Sequence, residues 1–280
     1  MNFFTYVFGK GYSGGPNFSK LETLHFDLEG NALSVTIPAT NIALPRGEIN
    51  VNTPFRSPGW FDEHCRQMWN HFYVRVFGEA WAYVGPFWKA GPDRTFGVLS
   101  LSVDIKRALP GKVLDMNDLN TLAEAIRWDY EWYYEVEEPG KYGRGGNRKA
   151  RQEAEEEYNA RHPSIPEEKK IRDKEAGLRH SLRELPTQFE IRRYGDQEWL
   201  YYALKERLSS HYPVHHYYCQ PLDDQYYLYV KFSYRIDFSD YFHLWQADAE
   251  AAEQRIIEMV KLTFPNRLSA PDNNKAVLSG

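Results

Sequence analysis

Between Leu24 and Ile37 the chain alternates apolar and polar positions with a period of two. Leu24, Phe26 and Leu28 lie on one face, Glu29-Gly30-Asn31 turns the chain, and Leu33, Val35 and Ile37 resume the alternation. This pattern predicts a β-hairpin. Gly47–Asn52 then predicts a short strand. Phe61, Cys65, Met68, Phe72 and Val76 recur at helical spacing. Trp81–Trp88 is aromatic and strand-like, and Thr95–Ile105 reads as a clear strand. A helix is predicted over Asn117–Val136, with an inward stripe of Leu119, Leu122, Ala123, Ile126, Tyr130 and Tyr133.

The same order of signals returns near the other end of the chain. Thr187–Tyr194 predicts a strand. Asp196 is placed to cap a helix running to Ser209, with Leu200, Ala203, Leu204 and Leu208 inward. Val214–Cys219 predicts a strand, Pro221-Leu222-Asp223-Asp224 a turn, and Tyr226–Asp237 a further strand. A last helix is predicted over Gln246–Phe264 on Ala249, Ala252, Ile256, Val260 and Thr263.

Asp93 and Asp224 stand 131 residues apart, and the same shift carries Asp118 to Ala249. Gln67-Met68-Trp69 aligns with Gln197-Glu198-Trp199 at an offset of 130. The expected fold class is therefore α+β, as two tandem β-α-β-β-α (ferredoxin-like) pseudo-repeats with an added N-terminal β-hairpin. The halves fall at 1–138 and 186–268. A charged linker and helical insert occupies 139–185, and a flexible tail 269–280.

Composition changes this picture in three ways. A chain of 280 residues buries enough surface to fold without a metal or a disulfide framework. Its two cysteines, Cys65 and Cys219, suit a reducing compartment. The opening Met1–Phe8 has no basic lead and reads as a strand, and no apolar run is long enough to span a bilayer. The expected location is the cytoplasm.

Charge is uneven. Residues 139–184 hold 12 Lys/Arg against 9 Asp/Glu, a net of +3, and only two aromatics, Tyr142 and Tyr158. The stretch opens on a glycine-rich linker, and Ser164 with Glu167 resembles a capping box for a helix over about 165–183. The remainder holds 22 basic and 30 acidic residues, a net of −8. An acidic body repels nucleic acid and attracts a basic protein, and with no apolar span no membrane association is expected.

Candidate chemistry is sparse. Gly9-Lys10-Gly11-Tyr12-Ser13-Gly14 fits GxGxxG, but a dinucleotide site needs a helix to start there, and Gly15-Pro16-Asn17 follows instead. His211, His215, His216 and Cys219, with His64, Cys65 and His71, are the densest possible metal ligands. They lack CxxC or HExxH spacing, and packed or surface imidazoles fit them as well. No nucleophile elbow or Walker loop occurs. No cofactor and no metal is assigned.

One surface reads as a binding face. On the helix over 117–136, the side opposite Ile126 carries Glu124, Trp128, Glu131, Trp132 and Glu135. Glu137 and Glu138 follow at its end, and Asp223 and Asp224 sit at a hairpin tip. Tryptophan beside carboxylates is an anchor for protein recognition, unless the rings are covered by the other half or the hairpin.

The acidic, aromatic-rich α+β layout resembles that of immunity proteins from bacterial polymorphic-toxin systems, including type VI secretion effector–immunity pairs. The resemblance implies a non-enzymatic inhibitor that blocks a basic toxin such as a nuclease. Two other classes remain open: a structural or regulatory module of an assembly, and a metal-dependent enzyme built on His215, Cys219 or the His64/His71 pair.

Overall fold

A two-residue turn sets the register of the first hairpin. Glu29 (φ 52°) and Gly30 (φ 90°) both take positive φ, as a type I′ turn requires, and Asp27 accepts the Gly30 N–H at 2.7 Å. The turn joins β2 (Asn17–Leu28) to β3 (Asn31–Ala39). The computed structural model describes residues 11–42, 49–67, 73–86, 94–136, 145–205 and 212–265. A two-residue β1 (Ser13–Gly14) precedes the hairpin. It is followed by α1 (Trp60–Gln67), β4 (Tyr73–Val84), β5 (Thr95–Arg107) and α2 (Leu119–Glu135). Next come α3 (Gly146–Ala160) and α4 (Glu167–Ser181). The last part holds β6 (Glu190–Tyr194), β7 (Gln197–Leu204), β8 (His215–Pro221), β9 (Tyr226–Ile236), α5 (Ser239–Glu258) and β10 (Val260–Thr263).

Seven strands form one antiparallel sheet in the order β1-β4-β5-β9-β8-β7-β6. β10, β3 and β2 form a second antiparallel sheet. The long central strands alternate. Leu99, Leu101, Val103 and Ile105 of β5, with Leu228, Val230 and Phe232 of β9, share one face with the inward side of α5 and the three-stranded sheet. The other face carries Tyr227 and Tyr229 of β9, Tyr217 and Cys219 of β8, and Leu200 and Tyr202 of β7. There α2 packs through Leu122, Ala123, Ala125 and Ile126. Asp118 starts that helix by accepting the Asn120 N–H at 2.9 Å.

α3 and α4 form a charged helical hairpin that buries only Asn147 between them. Asn147 fastens its base. Its amide donates to the Arg183 carbonyl at 3.0 Å, and its side-chain oxygen accepts the Arg183 N–H at 2.8 Å. Arg161 bonds Asp173 across the two helices at 2.6 Å. Among the described residues no helix is long and apolar enough to cross a membrane.

The mixed α+β character, the hairpin, β5, α2, the helix near 165–183, β8 and β9 follow the sequence pattern. Several expectations do not hold. Of the helix expected to reach Val76, Trp60–Gln67 is observed, Met68 and Phe72 lie outside the described residues, and Val76 lies in β4. Of Gly47–Asn52, the described part contributes only a bridge from Asn52 to Asp27. Of the residues expected as a helix after Asp196, Gln197–Leu204 form β7, and 206–209 lie outside the described residues. Tyr194 pairs with Gln197 across a Gly195-Asp196 turn in which Gly195 takes φ +64°. The last helix stops at Glu258, and Val260 and Thr263 belong to β10, paired with β3. α4 starts without the Ser164 cap: Pro166 is its N-cap.

These differences remove the basis for a ferredoxin-like repeat. A shift of about 130 residues lays β5 over β9, but those strands are hydrogen-bonded neighbours along their length. No helix lies between β7 and β8 among the described residues, and α2 and α5 pack on opposite faces of the sheet. The two halves of the chain thus share one sheet.

Candidate functional site

α2 presents its outer face to solvent. Glu124, Trp128 and Glu131 are exposed there, and Trp132 is half-buried. The Trp128 and Trp132 rings stack with centroids 6.4 Å apart and planes 12° off parallel. Lys112 lies over Trp128 at 5.1 Å. Val113, 73% exposed, follows Lys112, and Val136, 43% exposed, lies one further turn along the 128–132 row. The result is an apolar ridge flanked by carboxylates.

The other expected partner-binding residues divide. Glu135 is drawn into the base of the helical hairpin: it pairs with Arg151 and accepts from Asn147 at 3.3 Å. Asp223 pairs with Arg56 at 2.6 Å and accepts the Gln225 and Tyr226 N–H groups. Its carboxylate organises a turn. Asp224 is exposed, and its carbonyl accepts the Leu114 N–H at 2.8 Å, which brings the acidic tip beside the loop leading into α2. Glu137 and Glu138 lie outside the described residues.

The histidines and cysteines do not converge. Cys65 and Cys219 are free thiols in the core, and burial pushes Cys65 up to about 11. His64 stacks on Trp60 at 3.8 Å and bonds its carbonyl. His215 and Cys219 lie on the α2 side of the sheet, and His216 on the other. His71 and His211 lie outside the described residues. Among the described residues no group of three His, Cys, Asp or Glu is placed to hold a metal ion. Ser13 and Gly14 of the GxGxxG stretch pair with β4, and strand β2 follows where a dinucleotide site needs a helix. A Cβ on Gly14 would collide with the Ala82 carbonyl, which accounts for glycine there.

A polar cluster absent from the sequence reading lies under α5. Glu253 is 3% exposed. It accepts from Tyr218 at 2.6 Å and Tyr234 at 2.5 Å, and His216 Nδ1 lies 2.9 Å from its Oε2. Burial raises both phenols far above the ordinary tyrosine value, and the Glu253 charge adds to the effect. One signal was legible: Ala249, Glu253, Ile256 and Val260 continue one helical row, so a carboxylate occupies an inward position.

The α2 side holds its own buried charge. Lys106, 9% exposed, points its ammonium toward Tyr229 (4.9 Å), Tyr130 (5.9 Å) and Tyr227 (6.0 Å), with Asp129 at 3.4 Å. Beside it Arg75 pairs with Asp104, which also accepts from Ser102 at 3.1 Å. Burial raises the Asp104 carboxyl despite the guanidinium. His215 bonds Ser233 at 3.1 Å, and burial lowers it to about 4, helped by Lys231, His216 and Arg183.

Compared with family models, curated proteins and solved structures, the chain matches none. What the site can do therefore rests on its own geometry. The α2 face offers an aromatic pair on a helix, with the carboxylates of Glu124 and Glu131 exposed on the same face and Lys112 over Trp128.

Proposed function

We propose that the protein is a non-enzymatic binding protein that docks a basic protein partner on the outer face of α2, in the manner of an immunity protein. The observation that carries this reading is the stacked pair of exposed Trp128 and half-buried Trp132, with Glu124 and Glu131 exposed on the same face and Asp224 beside the loop leading into α2. Burying two stacked indoles supplies the apolar centre that interfaces use, and the surrounding carboxylates select a cationic surface. A basic nuclease-type toxin fits that chemistry, and a cytoplasmic setting keeps Cys65 and Cys219 as thiols. Glu135 and Asp223 leave the proposed contact set, because both hold the fold together.

The test is co-expression with the protein encoded beside this one, scored for relief of toxicity, together with affinity measured on the purified pair. Trp128→Ala combined with Glu131→Lys is expected to weaken the complex by about thirtyfold or more while the melting temperature holds. An affinity unchanged by that double substitution removes the α2 face. A neighbouring protein that is neither toxic nor bound removes the immunity reading.

A further inference from the structure

We propose that the cavity between α5 and strands β7, β8 and β9 binds a small organic cation, an alkylammonium head carried by a free amine or by a lysine side chain. Four rings line it: Tyr201, Tyr212, Tyr234 and Phe242. His216 and Pro213 contribute to the wall, with Gln246 and Glu250 of α5. Tyr212 is 47% exposed, and Glu250 is also solvent-facing. Glu253 stands directly behind the wall, since His216 and Tyr234 are both lining residues and both bond it.

The chemistry of the wall selects charge and size. Aromatic faces present negative potential, and an ammonium within about 6 Å of a centroid is attracted to it. Glu250 and the buried Glu253 add attraction of the same sense. An anion would meet the Glu250 carboxylate in the lining, Glu253 behind it, and no lysine or arginine among the lining residues. Arg192 stacks on the Tyr201 ring at 3.2 Å, but it is outside the lining and is paired with Glu190 at 2.8 Å. The same ring thus already carries one cation in this structure. The cavity measures about 100 Å³. An apolar cavity of about 150 Å³ admits benzene, so this space fits the end of one alkylammonium chain and excludes a nucleotide or a sugar chain. The site is independent of the α2 face, because α5 packs on the opposite side of the sheet.

The experiment is a titration of the full-length, isotope-labelled protein followed by NMR at the tyrosine rings and His216. The probes are butylammonium, 1-butanol, butyrate, a short lysine peptide and the same peptide with the lysine acetylated. Butylammonium is expected to give saturable shifts in the millimolar range. Butanol and butyrate are expected to bind at least about tenfold more weakly. Tyr212→Ala and Glu250→Gln alter exposed side chains, so the fold is kept, and each is expected to weaken butylammonium by about three- to tenfold. A lysine peptide that binds at least about tenfold tighter than butylammonium, and loses this on acetylation, assigns the cation to a partner's side chain. Equal affinities assign it to a free amine. Equal binding of butanol, or no saturable shift from either cation, overturns the proposal.

Discussion

The two faces of the seven-stranded sheet are made by alternate residues of the same strands, yet they differ in kind. On the α5 face, β5 and β9 contribute leucine, valine, isoleucine and phenylalanine, and a three-stranded sheet closes the layer. On the α2 face the intervening residues include Ser100, Ser102, Asp104 and Lys106, with Tyr227, Tyr229, Lys231 and Ser233 beside them. The α5 face buries Glu253, the α2 face buries Asp104 and Lys106, and the two faces accommodate charge differently. Glu253 is satisfied by two hydroxyls and an imidazole. Lys106 is met by three rings and by Asp129, whose side chain keeps 17% of its surface in water. The α5 face carries the strictest packing demands, and the α2 face retains polar positions that tolerate change.

Substituting Glu253 and Lys106 tests that contrast most directly. Glu253→Ala removes the acceptor shared by Tyr218, Tyr234 and His216, and a loss of about 3 kcal/mol or more is expected in urea unfolding. Lys106→Met keeps an unbranched chain against the rings and leaves Asp129 able to rehydrate, so about 1 kcal/mol is expected. A larger loss from Lys106→Met would reverse the ranking of the faces.

A smaller effect concerns pH. His215 is held neutral, with its folded value lowered to about 4 against an ordinary value of 6.5. Between these values the unfolded chain binds the proton more readily, so stability should fall as pH drops from about 6.5 toward 4. His215→Gln should flatten part of that slope, read as the difference between the two unfolding curves. Parallel curves would show that His215 is already hydrated.

The smallest effect is expected from the helical hairpin on the α2 side. Replacing residues 148–180 with a short Gly/Ser linker keeps Asn147 and Arg183. It should change the unfolding free energy of the remaining body by less than about 1 kcal/mol, because loop closure depends weakly on length. A drop of several kcal/mol would make the hairpin an integral part of that layer.

Much of the architecture was legible where one pattern dominated. The Leu24–Ile37 alternation, the β5 and β9 strands and the α2 stripe all correspond to observed elements. β7 was not legible as a strand, because Leu200, Ala203 and Leu204 also satisfy helical spacing. Trp199, Tyr201 and Tyr202 favour a strand, and the Gly195-Asp196 turn supplies a hairpin. β10 was hidden because Val260 continues the α5 stripe, and only its long-range pairing with β3 makes it a strand. The exposed Trp128 was found from helical phase alone. The roles of Glu135 and Asp223 were not, since Arg151 and Arg56 reach them from distant parts of the chain.

The pairing of β5 with β9 sets a constraint on how the chain is made. β5 ends at Arg107, and its partner begins at Tyr226. At a synthesis rate of roughly 5–20 residues per second, β5 waits for several seconds with one edge unsatisfied. During that interval only local structure, such as α2 and the α3–α4 hairpin, can form beside it. The nascent β4–β5 pair, with its row of leucine and valine, is then the segment with most need of a chaperone.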